Sequence, residues 1–195
     1  MEISKKKLVG SYIAVATVAF IIGALLFYPI ATSKLWFVHI TETWKEKYPS
    51  GHVDIVIFRQ DGAIEKYSHD NLVVTIGKRY VRNLLGFNNV TNMNATVYIA
   101  LSNDASPDAS WTKLPNEITG SGLARAEGTA TVINSTAYQV QHTFTASATV
   151  TVQCTGLHWS SVSNSDGNLF AAATFTQVTL EANDQIQITW TVNLS

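Results

Sequence analysis

The sequence predicts a mainly β chain: an antiparallel β-sandwich of jelly-roll or immunoglobulin-like kind with one short helix, preceded by a single N-terminal transmembrane and stalk helix. Three observations carry that reading. Residues 8–33 include no charged side chain, and about 20 apolar residues suffice for a helix to cross the hydrocarbon core of a bilayer. Beyond Gly86, apolar and polar residues alternate with period two between Ser/Asn/Asp/Gly turns, the pattern of strands with one buried and one wet face. Only 14% of the chain is charged, against roughly 25% in a typical soluble domain. Thr, Ser, Asn and Gln take the place of the missing charge, mainly in the second half.

The N-terminal element comes first. Lys5, Lys6 and Lys7 stand before the apolar run and Lys34 closes it. Three lysines on the short side orient that end inward and the rest of the chain outward. Trp36 and Phe37 then fall where an outer interfacial aromatic belt would lie. A cleaved signal peptide is the main rival, but its apolar part spans about 7–15 residues and ends in an AxA-like site. The run here is longer, and Ala31-Thr32-Ser33 matches that site poorly, so residues 1–34 read as a retained anchor. The pairs Gly10/Ala14 and Ala19/Gly23 put small residues four apart, a spacing that lets helices approach closely in lipid.

Residues 35–51 read as a stalk helix and linker. Trp36, Ile40, Trp44 and Tyr48 recur every four residues and share one helical stripe, with Glu42 and Glu46 on another beside Lys45 and Lys47. Pro49-Ser50-Gly51 is the expected stop.

Residues 52–195 read as the extracytoplasmic β-domain. Val53, Ile55 and Ile57 alternate along a first strand, and Asp61-Gly62 makes a hairpin turn into Ala63–Ser68. Ile76, Tyr80, Val81, Leu84 and Leu85 mark an amphipathic helix between Thr75 and Gly86, with Lys78, Arg79 and Arg82 on its solvated side. Strands are then expected at Thr96–Leu101 and at Ala124–Ile133, which an Asn134-Ser135 turn ends. The clearest pattern places Phe144, Ala146, Ala148, Val150, Val152 and Cys154 on one parity of a single long strand. Leu169–Thr176 follows. The last strand sends Ile186, Ile188, Trp190, Val192 and Leu194 inward and Gln185, Gln187, Thr189, Thr191 and Asn193 outward. These outward faces carry almost no Lys or Glu, the residues that usually protect sheet edges from pairing. A neutral face of this kind suits lateral assembly.

Chemical motifs are sparse. No Gly-rich phosphate loop or GxSxG elbow occurs. The single cysteine, Cys154, excludes an intrachain disulfide and a Cys-cluster metal site. Net charge is -1, so no bulk basic field would hold nucleic acid. The charge is unevenly split: residues 1–90 hold eleven Lys/Arg and seven Asp/Glu, residues 91–195 two and seven. Asp104, Asp108 and Glu117 share one loop but lack calcium-loop spacing and read as solvated acids. His142 reads as a half-buried imidazole and Cys154 as a small buried hydrophobe. The expectation is therefore no enzyme, no cofactor and no metal. Four acceptor sequences occur, at Asn89, Asn94, Asn134 and Asn193; the first three are glycosylation candidates, Asn134 foremost because it lies in a turn.

The segment from Phe58-Arg-Gln-Asp-Gly through Asn71-Leu-Val-Val to Gly77, then Tyr98-Ile-Ala-Leu-Ser, Asn116-Glu-Ile and Gly122-Leu-Ala-Arg125, resembles β-rich virion structural proteins. So does the ending, Phe144-Thr-Ala, Val150-Thr-Val, Asn168-Leu-Phe-Ala and Leu180-Glu-Ala-Asn-Asp-Gln-Ile-Gln-Ile-Thr-Trp-Thr-Val. The family comprises tail-fibre-like and surface β-domains of phages, proviruses and archaeal viruses, and the likeness covers roughly residues 54–195. It implies a structural protein displayed on a virion surface, which the anchor read from residues 1–34 would root in lipid. The partners expected from anchor and resemblance together are the lipid bilayer, sister copies, other structural proteins and a host surface glycan or protein. The family brings no catalytic residues, and the added membrane helix departs from tail-fibre practice. The alternative is an archaeal type IV pilin-like filament subunit, of which Lys7-Leu-Val-Gly10 is an imperfect processing site, or a cell-surface adhesion protein.

Overall fold

The computed structural model of the chain describes residues 49–86, 94–104 and 106–194. These residues are mainly β, with two antiparallel sheets and one short helix. Strand β1 (Ser50–Phe58) turns tightly into β2 (Ile64–Asp70); β3 (Leu72–Val73) leads into helix α1 (Thr75–Gly86). After it come β4 (Tyr98–Ser102), β5 (Ala126–Glu127), β6 (Thr129–Asn134), β7 (Ala137–Thr145), β8 (Val150–His158), β9 (Leu169–Leu180) and β10 (Gln185–Asn193). One sheet runs β2-β1-β10-β7-β6 and the other β3-β9-β8-β4-β5. We call them sheets A and B.

Alternation builds the core. Val53, Ile55 and Ile57 on β1 and Ile186, Ile188 and Trp190 on β10 are fully buried. They share one apolar cluster with Ile99, Leu101, Leu157 and Phe170 of sheet B. Each fully buried side chain of this size contributes about 1.5–3 kcal/mol relative to exposure. Helix α1 closes one flank of that core. Tyr80 stacks on Trp159 with ring centroids 4.6 Å apart, and a β-carbon at Gly77 would overlap the backbone carbonyl of Phe170. Only glycine lets the helix lie this close to β9.

Several expectations about the elements need correction. The first strand begins at Ser50, inside the stretch read as linker, because Ser50 and Gly51 pair with Asn193 and Val192. The run Ala124–Ile133 is two strands in different sheets, divided at Gly128, whose N–H donates to Val97 O at 2.7 Å. The alternation through Cys154 likewise spans β7 of sheet A and β8 of sheet B. The corner between them is held by Ala146 N–H on Asp184 O (2.9 Å) and Ser147 N–H on Ser121 O (2.9 Å). No Gly or Pro announces it. A register shift between Val152 and Cys154 then turns Cys154 away from the main core. Finally, Leu84 and Leu85, expected on the buried stripe of α1, are 47% and 84% exposed, because the last helical turn overhangs the core.

The stretch 106–124 runs over the outside of sheet B. Leu114 packs on Ala100 and Cys154 with Trp111 beside them, a small second core. Both faces of β8 and β9 are therefore buried around Thr155–His158 and Phe170–Ala173.

Candidate functional site

Three features outside the main core invite a functional reading. The first is the outer face of sheet A across β7 and β10. Gln139 donates to Thr191 Oγ1 (3.2 Å), Gln141 to Thr189 Oγ1 (2.9 Å) and Gln187 to Thr143 Oγ1 (3.1 Å). These are directly opposed cross-strand partners. The outward set Gln185, Gln187, Thr189, Thr191 and Asn193 is thus placed as the alternation predicts. The glutamine amides lie across the threonines, which is why Thr189 and Thr191 are each only 9% exposed. No charged side chain stands on these two strands. Covering these two strands strips no charge of their own of its water; the nearest carboxylate on this face is Asp54 of β1, directly opposite Thr189.

The second feature borders that face. β6 is an edge of sheet A, exposed along its whole length and uncharged, with Val132 79% exposed. Behind it an apolar cavity of about 890 Å³ opens between α1 and the end of sheet A, lined by Leu84, Leu85, Val132, Tyr138, Val192 and Leu194. Leu194, expected inward, is 55% exposed at its mouth. An edge without charge or proline is open to pairing with another strand.

The third feature is polar and sealed. Glu117 accepts from Arg125 Nε at 2.8 Å and Nη2 at 2.7 Å, and from the Asn164 amide at 2.8 Å. Arg125 Nη1 donates to Ser160 O (2.9 Å) and Asn168 Oδ1 (3.1 Å). His158 Nδ1 lies 2.7 Å from the same Asn168 oxygen. Because Asn168 Nδ2 donates to Ser165 O at 2.9 Å, that oxygen is an acceptor and Nδ1 carries the proton. Nε2 has no partner and lies against Gly156, where methyls of Leu114 and Leu169 also converge. Burial, seconded by the Arg125 charge, lowers the imidazole to about 3. This cluster ties the loop over sheet B to the segment before β9. Its donors are spent on protein acceptors, so it holds structure together.

Of the three loop acids expected to be solvated, Glu117 is instead buried, because the Arg125 guanidinium pairs with its carboxylate. Asp108 accepts from the Ser110 amide and hydroxyl, Asp104 from the Ser106 amide and Asn116, and Glu117 from Arg125. No group of three metal-ligating side chains occurs among the described residues. His142 is half-buried and packs edge-on against Phe144, with centroids 4.5 Å apart. Burial, with Asp104 next, raises the Cys154 thiol to about 12.

Of the glycosylation candidates, Asn134, expected in a turn, is the exposed last residue of β6 beside the turn into β7, and Asn94 is exposed just before β4. Asn89 lies outside the described residues. So do the membrane-interface set Lys5, Lys6, Lys7, Lys34, Trp36 and Phe37 and the helix-packing set Gly10, Ala14, Ala19 and Gly23. No helix among the described residues is long and apolar enough to cross a membrane. No family model, curated protein or solved structure gives a significant match to the chain.

Proposed function

We propose that the chain is a membrane-anchored structural protein displayed on a virion surface, a spike, envelope or capsid-associated component. In this reading residues 1–34 root it in lipid with the N-terminus inside. The two sheets form a jelly-roll- or immunoglobulin-like sandwich held outward for assembly and host attachment. The observation that carries the proposal is the uncharged Gln/Thr face of β7 and β10, with its side chains already paired to one another. Solvated faces ordinarily carry mixed charge. A face that spends its amides on its own hydroxyls and carries no charge is one to which a sister copy or another structural protein can be apposed at low desolvation cost.

The test is sedimentation of the full chain in membranes or mild detergent, wild type against the double variant Thr143→Lys, Gln187→Lys. The wild type should self-associate and the variant should not, with unfolding temperatures equal within a few degrees. A wild type that stays monomeric at every concentration, or a variant that assembles equally well, would sink the assembly reading. An intact mass lacking residues 1–10 would favour the pilin-like filament instead.

A further inference from the structure

Of the four acceptor sequences, the structure describes the Asn94 and Asn134 triplets in full, and their local geometry differs. We propose that Asn134 is an N-glycosylation site of this protein. The assignment rests on the outward orientation of the β-domain, without which no glycosyl transferase would meet it.

Asn134 ends β6, and Ser135 and Thr136 make the two-residue turn into β7. The Asn134 side-chain oxygen accepts from Thr136 N–H at 2.8 Å and from Thr136 Oγ1 at 3.1 Å. The third residue of the acceptor triplet is thus already folded onto the first. Two donors on Oδ1 draw electron density from the carboxamide and make its N–H protons more acidic. Nδ2 has no acceptor among the described residues and stands at an exposed turn. In the transfer step Nδ2 attacks the anomeric carbon of a polyprenyl-phosphate-linked sugar. The new N–C bond forms as the C–O bond to phosphate breaks, the electron pair leaves with the lipid phosphate, and the Nδ2 proton passes to the transferase's base.

The Asn94 triplet lacks this arrangement. Thr96, third residue of the Asn94 triplet, is 7% exposed and its hydroxyl is bound to Tyr138 OH at 2.6 Å. The Asn94 carbonyl is taken by Tyr80 OH at 2.6 Å. A transferase reading the Asn94 triplet would have to open that corner first. Asn193 is a paired residue of β10, opposite both Ser50 and Ala137.

The experiment expresses the full chain in a host that N-glycosylates exported proteins and maps glycopeptides by mass spectrometry. The wild type should carry sugar at Asn134 and none at Asn94. Asn134→Gln and Thr136→Ala should each abolish that glycopeptide, while Asn94→Gln should leave it unchanged. A control chain carries Asp61→Asn and Ala63→Thr, which creates a fresh acceptor in the exposed β1–β2 turn. Sugar on the control position with Asn134 bare would overturn the assignment and leave the outward orientation standing. Sugar on neither position would overturn both, and sugar on Asn94 instead of Asn134 would overturn the geometric argument.

Discussion

Glu117 and Arg125 form a two-pronged ion pair, 2.8 and 2.7 Å, in which neither side chain touches solvent. The pair spans the loop that covers sheet B and the entry to β5. Two desolvated charges in so dry a place gain little net stability over apolar residues of similar volume, but either one alone would be a buried uncompensated charge. Arg125→Met or Glu117→Leu alone should therefore destabilise the protein by about 3–5 kcal/mol. The double change Arg125→Met, Glu117→Leu should recover a large part of that loss. Denaturant titration of the four proteins checks the cycle; additive losses would refute it.

His158 shares Asn168 with that arginine, and its burial has a pH signature. The imidazole titrates at about 3 in the folded protein and near 6.5 when unfolded. Its folded value is depressed, so the unfolded chain binds the proton more readily. The contribution is complete above pH 6.5 and is lost as pH falls towards 3, at up to about 1.4 kcal/mol per pH unit. His158→Gln should flatten the stability profile between pH 6 and pH 4. An unchanged slope in that variant would mean the imidazole is not held neutral.

A second acid response comes from the opposite corner. Arg59 bridges Glu65 (2.7 Å) and Asp184 (2.8 Å) where the β1–β2 turn meets the β9–β10 turn. The Arg59 hydrogen bond and then that of Tyr67 lower Glu65. For Asp184, burial pushes upward, but the Glu181 amide, the Arg59 guanidinium and the Gln60 amide outweigh it and lower the carboxyl. Both folded values lie below the unfolded ones, so this stability is present above the ordinary carboxylate range and vanishes as pH falls below about 4. Asp184→Asn should remove part of the acid limb there and leave the His158 window untouched. Loss of slope near pH 6 in that variant would contradict the division.

Much of this fold was legible in the residues. Val53/Ile55/Ile57 and Ile186/Ile188/Trp190 are period-two patterns in strands with one buried face, and the structure places them as that pattern requires. The helix was legible because Ile76, Tyr80 and Val81 repeat at helical spacing and Gly86 ends the run. The corner at Ala146–Thr149 was hidden because its bonds come from Asp184 and Ser121, distant in sequence, and not from local turn residues. The Glu117–Arg125 pair was hidden for a related reason. A lone acid in a loop reads as solvated until the chain that covers it is known. The Gln/Thr pairing across β7 and β10 was half legible, as polarity without register.

At Gly77 helix propensity and packing oppose each other. Replacing glycine by alanine inside a helix ordinarily stabilises by about 1 kcal/mol. At this position the new methyl would overlap the carbonyl of Phe170 and stand close to its Cα, backbone atoms that cannot rotate aside. Forcing extra volume into a packed contact costs about 1–3 kcal/mol or more, so the packing cost should win. Gly77→Ala should lower the unfolding temperature and loosen the Tyr80–Trp159 stack. Tryptophan fluorescence during thermal unfolding reads both effects. A raised midpoint with unchanged emission would mean that α1 does not bear on β9 as described.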